Sequence, residues 1–201
     1  MAEHYLQHLS GPAMAAAQTH YYGRAQAVDS NAPGLDELGP DESAFIAQRD
    51  SFYLASVSET GWPYIQHRGG PAGFLRVVSP RQLAFADYRG NRQMVTTGNV
   101  AVDDRVSLFL MDYPRRERLK ILGHARVVDA REHPELAAQF ASDDTRKITE
   151  RIVLIDVVSF DWNCPKYITP RFTATEVENY ARGLRERIQE LETKLQKLAP
   201  N

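Results

Sequence analysis

Three stretches of this chain gather the side chains that bind anions and flat rings. The first is Tyr64-Ile65-Gln66-His67-Arg68-Gly69-Gly70. On a strand, alternation places Tyr64, Gln66 and Arg68 on one face and Ile65 and His67 on the other. Arg68 at the strand end offers a phosphate several donors, and Gly69 with Gly70 lets a flat ligand come close to the backbone. The same pattern also suits a solvated barrel face ended by a glycine turn. The second runs from Asp87 to Asn99, through Gly90, Asn91 and Arg92. It reads as a strand end, a turn and a helix start, where free N–H groups and the helix dipole favour an anion. Its alternative is a polar loop with Asn91 capping the helix. The third, Trp162 to Arg171, joins aromatics to Lys166 and Arg171 between prolines. It suits either a loop closing over a ring and a phosphate or a plain connector. Arg115-Arg116-Glu117-Arg118 is a further basic cluster in a turn, a setting in which charges are usually solvated.

Other chemistries lack their motifs. No histidine spacing marks a metal site, and there is no G-x-S-x-G elbow, Walker A loop or G-x-G-x-x-G turn. The lone Cys164 allows no intrachain disulfide and no cysteine metal cluster. Asp103-Asp104 and Asp143-Asp144 suit turns or caps better than paired-carboxylate catalysis. Lys and Arg number 24 against 26 Asp and Glu, a net charge of −2, which opposes a nucleic-acid partner. No apolar run approaches the roughly 20 residues of a membrane span, and no basic-then-apolar leader is visible. The expectation is a soluble, cytoplasmic protein with no metal.

These residues need elements to hold them. The 201 residues suit one domain with a short appendage. Helices are expected at Pro12–Tyr22, stopped by Gly23, and from Pro40, with Phe45 and Ile46 facing a core. Strands are expected at Phe52–Ser58, Trp62–Arg68, Phe74–Val78, Leu83–Tyr88, Arg105–Asp112, Leu119–Val128 and Ile152–Phe160. A loop and short helix fall at Asn91–Val102, and another helix at Pro134–Ala141. Short connections make the strands antiparallel. Consecutive apolar positions suggest strands buried on both faces. A closed or split barrel with outer helices satisfies this, with an open sandwich as the alternative.

The tail carries Val177, Ala181, Leu184, Ile188, Leu191, Leu195 and Leu198 at alternating spacings of four and three, a heptad stripe. Thr175 with Glu178 matches a capping box. Arg187 and Glu192 flank the stripe where they can pair across a parallel two-stranded interface. The stripe either lies on its own domain or pairs with a second copy.

The runs SFYLASVSETGWPYIQHRGGPAGFLRVV, LAFADYRGNRQMVTTGN and RVSLFLMDYPRRERLKILGHARVVD resemble the pyridoxamine-phosphate-oxidase-like flavin-binding proteins, from about Phe45 to Phe172. The resemblance implies a mainly β fold with flanking helices: a split β-barrel of the FMN-binding type over residues 51–172. A helical segment at 1–50 packs on it, and a C-terminal amphipathic helix follows at 173–201. It also implies a homodimer with non-covalent FMN at the subunit interface. Residue by residue, Gln66, His67, Arg68 and Gly69 match the strand that lines the flavin and reaches its phosphate. Phe85 and Ala86 match backbone contacts to the ring. Asn91 and Arg92 match two consecutive basic positions, Asn91 replacing one of them. Arg118 falls near a customary glutamine, and Lys166 and Tyr167 lie where a partner subunit contributes. The family oxidases' C-terminal substrate signature is missing, which argues against pyridoxamine-phosphate oxidation.

The expected function is therefore an FMN-binding flavoprotein, an oxidoreductase acting on a small organic molecule, with no catalytic acid or base nominated. The rivals are a non-catalytic flavin carrier or sensor, the same barrel adapted to a deazaflavin or haem, and a purely structural dimer built on the tail.

Overall fold

The structure is a computed structural model and describes residues 4–29, 31, 33–162 and 165–198. Three helices open the chain: α1 (Tyr5–Leu9), α2 (Pro12–Tyr22) and α3 (Pro40–Ala47). Proline at the first helical position starts α2 and α3, and Gly23 at φ 75° ends α2 in the left-handed region that glycine adopts without penalty. The Glu42 carboxylate accepts from the Gly39 N–H at 2.9 Å, capping α3.

The strands are β1 (Ser51–Val57), β2 (Pro63–Gly69), β3 (Arg76–Ser79), β4 (Gln82–Tyr88), β5 (Arg105–Asp112), β6 (Glu117–Asp129) and β7 (Thr149–Trp162). Helix α4 (Val95–Val102) separates β4 from β5, and α5 (Pro134–Phe140) separates β6 from β7. All pairings are antiparallel in one sheet ordered β2-β1-β5-β6-β7-β4-β3.

Alternation along β4 and β7 explains their unbroken apolar runs. Leu83 and Phe85 on β4, with Val153, Ile155 and Val157 on β7, enter the main core. Ala84, Ala86, Ile152 and Leu154 face the opposite side, packed with Phe140 of α5 in a second cluster. Both faces of these strands are thus buried, as expected for a wrapped sheet covered by helices. The main core also takes Phe45 and Ile46 from α3 and Phe52, Leu54, Leu108, Leu110, Leu119 and Ile121 from β1, β5 and β6. The Phe52 ring stacks on Phe74 at 5.6 Å and meets Phe85 edge-on at 5.3 Å, so β1 and β4, far apart in the sheet order, touch across the core. This is a split barrel: side chains rather than a backbone ladder join its ends.

Three local expectations are corrected. The run Phe74–Val78 is a strand only from Arg76; Phe74 follows a turn through Gly73 (φ 77°), and Phe74 and Leu75 serve as buried core residues. Helix α4 begins at Val95, so Asn91 and Arg92 belong to the preceding loop and Asn91 caps no helix. In the tail helix, α6 (Ala174–Leu198), the capping box is Thr173 with Glu176, not Thr175 with Glu178: the Glu176 carboxylate accepts from the Thr173 N–H at 2.7 Å and its hydroxyl at 2.8 Å. Thr175 is already inside the helix.

The chain divides into two compact units, Met1–Asp112 with Glu117–Pro165, and Tyr113–Arg116 with Lys166–Asn201. The sheet and both hydrophobic clusters belong to the first. In the second, the Arg171 guanidinium lies 5.0 Å from the centre of the Tyr113 ring, and α6 carries an apolar stripe that is exposed from Val177 to Leu195 apart from Ala181, which is half-buried. Among the described residues no helix is long and apolar enough to cross a membrane.

Candidate functional site

Strand β2 supplies one wall of the site. Its alternation leaves Tyr64, Gln66 and Arg68 half-buried and exposes Ile65 and His67. Strand β4 brings Asp87, whose Oδ1 accepts from Arg68 Nη1 at 2.5 Å. Its Oδ2 accepts from Arg151 Nε at 2.8 Å, because β4 and β7 pair in a register that sets Asp87 opposite Arg151. The Asp87 side chain is 6% exposed and both guanidinium groups are 14% exposed. A carboxylate so far from water is stable only with paired, hydrogen-bonded cations. Arg151 also pairs with Glu150 at 3.1 Å, which balances the charge of the four groups.

A loop and helix form the opposite wall. Asn91 Oδ1 accepts from the Gln93 N–H at 3.2 Å in an Asx turn. Arg92 and Met94 hold φ of 60° and 57°, left-handed conformations uncommon for side chains of this size. Thr96, on the first turn of α4, donates to Gln66 Oε1 at 3.0 Å and fixes the glutamine. Deeper in, Asn99 donates to Ser56 Oγ at 2.9 Å, tying α4 to β1.

Gln66, Arg68, Asp87, Asn91, Arg92 and Arg151 line a common cavity of about 190 Å³. A larger cavity of about 1040 Å³ adjoins it, with Arg92 and Arg151 lining both. Its walls come from α4 (Thr97, Val100), β6 (Ala125, Val127) and the start of β7, which is the size and mixed character of an organic ligand site. At its edge the Arg131 guanidinium grips Asp129 through two nitrogens and holds that carboxyl down at about 2. The small cavity fits a phosphate-sized group and the large one a ring system.

The other sequence candidates lie elsewhere. His67 is on the outer face of β2, its ring edge-on to Tyr53 at 5.7 Å, and Gly69 ends the strand on that face. Phe85 and Ala86 are buried on opposite faces of β4. Each is almost fully buried, and neither lines either cavity. Arg118, half-buried on β6, lines neither cavity. Lys166 and Tyr167 belong to the second unit and are exposed, Tyr167 at φ 65°. Asn163 and Cys164 lie outside the described residues. Sequence reasoning missed Arg151, and it passed over Asp87 as an anchor. The signal for Asp87 was an acid ending an apolar strand; that for Arg151, 64 residues on, emerges only from the strand register.

Comparison with known families decides the relationship. The model described as pyridoxamine 5'-phosphate oxidase matches residues 38–160. The chain belongs to that family. The match spans α3 to β7, and the pyridoxamine 5'-phosphate oxidase family is one of flavin-binding split barrels, in keeping with the sheet described above. No curated protein matches. Solved structures similar to this chain include HupZ of Group A Streptococcus (11% identity, 67% of this chain and 100% of that one, TM-score 0.47). General stress protein 26 of Bacillus anthracis is similar at 13% identity (66% and 95%, TM-score 0.46), and an FMN-binding protein of Syntrophomonas wolfei at 8% (61% and 85%, TM-score 0.43).

Proposed function

We propose that this chain is a flavoprotein that holds FMN by its phosphate between Arg68 and Arg92, and that it is an oxidoreductase acting on a small organic molecule. The observation carrying this reading is that two guanidinium groups from separate segments, β2 and the Gly90–Met94 loop, line one phosphate-sized cavity opening beside a ring-sized one. The donor set fits a phosphate. Arg68 Nη1 is engaged by Asp87, but its buried Nε has no partner, and a donor left so is costly unless a ligand satisfies it. The residues around it, with Arg68, Arg92 and Arg151 against Asp87 and Glu150, sum to one positive charge. A phosphate monoester carries roughly −1.5 to −2 near neutral pH.

When bound, FMN would supply hydride or electron transfer. The chain's part is to bind and orient it. Arg68 and Arg92 take the phosphate, and Asp87 with Arg151 keeps Arg68 in place. Gln66, fixed by Thr96, stands beside the cavity. The apolar surface of Val100 and Val127 is available to the plane of its ring. The reading includes the family's homodimer, with the flavin at the subunit interface.

A second reading, a flavin carrier or sensor without turnover, is favoured by one feature. The small cavity contains no histidine or cysteine among the described residues, and its one carboxylate is held by two arginines, which leaves the phenols of Tyr64 and Tyr88 as its remaining acid–base groups. Titration with FMN and with riboflavin, which lacks the phosphate, tests the site. FMN is expected to bind far more tightly; equal affinities, or no binding of either, overturn it. Turnover of the FMN-loaded protein with a nicotinamide donor or oxygen then separates enzyme from carrier.

A further inference from the structure

The tail helix α6 is a long element whose apolar stripe is not covered by any residue of its own unit among the described residues. Leu184, Ile188, Leu191 and Leu195 are 52%, 55%, 43% and 66% exposed, on a helix of 25 residues, about 37 Å long. The stripe's period points to its occupant. Apolar residues recur every 3.5 positions from Val177 onward. On a straight helix of 3.6 residues per turn such a stripe drifts by about 20° per heptad, so only a partner supercoiling with it stays in contact along its length.

We propose that α6 pairs with the α6 of a second copy as a parallel, in-register, two-stranded coiled coil. The seam positions set the number of strands. Ile188 falls at the central a, between Leu184 and Leu191 at d, a β-branched-a and leucine-d core that favours two parallel helices, with Ala181 and Leu195 at the outer a positions. The charges beside the seam set the direction. The g positions are Tyr180, Arg187 and Lys194, and the e positions include Glu178, Arg185 and Glu192. In a parallel pair each g side chain meets the e residue five positions on in its partner, so Arg187 meets Glu192 of the other copy and Tyr180 meets Arg185. In an antiparallel pair g meets g, and the two cations Arg187 and Lys194 face cations or tyrosine in every register. Arg187 now bonds Glu190 on its own helix, an exposed contact that exchanges at little cost. The pairing is independent of the flavin reading and stands or falls without it.

Cross-linking of the full chain tests it, in a Cys164→Ser background. Leu191→Cys places a thiol at the seam and Glu186→Cys on the outer face, at position f. Under mild oxidation Leu191→Cys is expected to form a disulfide-linked dimer at least tenfold faster than Glu186→Cys, because only seam residues bring their Cα atoms within disulfide reach. If Leu191→Cys disturbs the helix, as far-ultraviolet circular dichroism would reveal, Leu184→Cys carries the same test. Adding Arg187→Glu to the seam-cysteine chain is expected to slow cross-linking several-fold, and adding Glu192→Arg as well to restore it. Equal rates at seam and outer face, or no rescue by the charge swap, overturn the proposal. A dimer held only through the barrels gives that negative result while still sedimenting as a dimer.

Discussion

Asp87 is the residue on which the arginine cluster turns. Removing it leaves Arg68, its side chain 14% exposed, without a counter-charge and Arg151 with Glu150 alone, a change that costs about 3 kcal/mol. Asp87→Ala is expected to lower Tm by about 6–12 °C in a thermal unfolding scan, and Asp87→Asn by less, since the amide oxygen still accepts one bond. Arg92 is exposed and bonded to no described residue by its side chain. Arg92→Ala is therefore expected to leave Tm within about 1 °C while weakening FMN about ten- to a hundredfold, with riboflavin affinity unchanged by fluorescence titration. Asp129 provides a pH marker at the rim. Arg131 bonds its charged form and depresses its pKa to about 2, so this interaction is in full force above the ordinary carboxylate range. It is lost as the pH falls through about 2. A carboxyl-carbon NMR titration is expected to place Asp129 there; a midpoint near 4 contradicts the pairing.

At the level of elements, β6 and β7 carry a bulge between Leu122 and Gly123 that bends the longest ribbon of the sheet. Gly123 is required by close approach rather than by φ: a Cβ there would lie 2.6 Å from Ile155 Cγ2 and 2.8 Å from the Asp156 carbonyl oxygen. Backbone cannot move aside as a side chain does, so Gly123→Ala is expected to destabilise by about 1–3 kcal/mol, read from the shift in a urea midpoint. Element types were legible because period and punctuation are local: prolines open α2 and α3, and Glu59-Thr60-Gly61 joins β1 to β2. The errors fell where neighbours overrode local pattern. Phe74 and Leu75 have strand-forming side chains, but the preceding turn at Gly73 directs them into the core instead.

For the molecule as a whole, every fully buried apolar residue among the described residues lies in the first unit. A chain ending at Phe172 is accordingly expected to unfold within about 2 °C of the full-length protein by scanning calorimetry. A larger drop would mean that α6 contributes to the stability of the sheet.

The amino-acid sequence alone determined six of the seven strands, the antiparallel pairing and the heptad tail, since each follows from spacing within one segment or between adjacent ones; it left barrel and sandwich open. It also singled out Arg68 and Arg92, cations at the ends of apolar runs. Only the tertiary structure joined them across one cavity and supplied Asp87 and Arg151 as their support. The physical reason is distance along the chain. Arg151 reaches Asp87 through a register between strand positions 64 residues apart, and Arg68 reaches it across the split of the barrel, between strands that share no ladder. Neither relation leaves a periodic trace in the residues that form it.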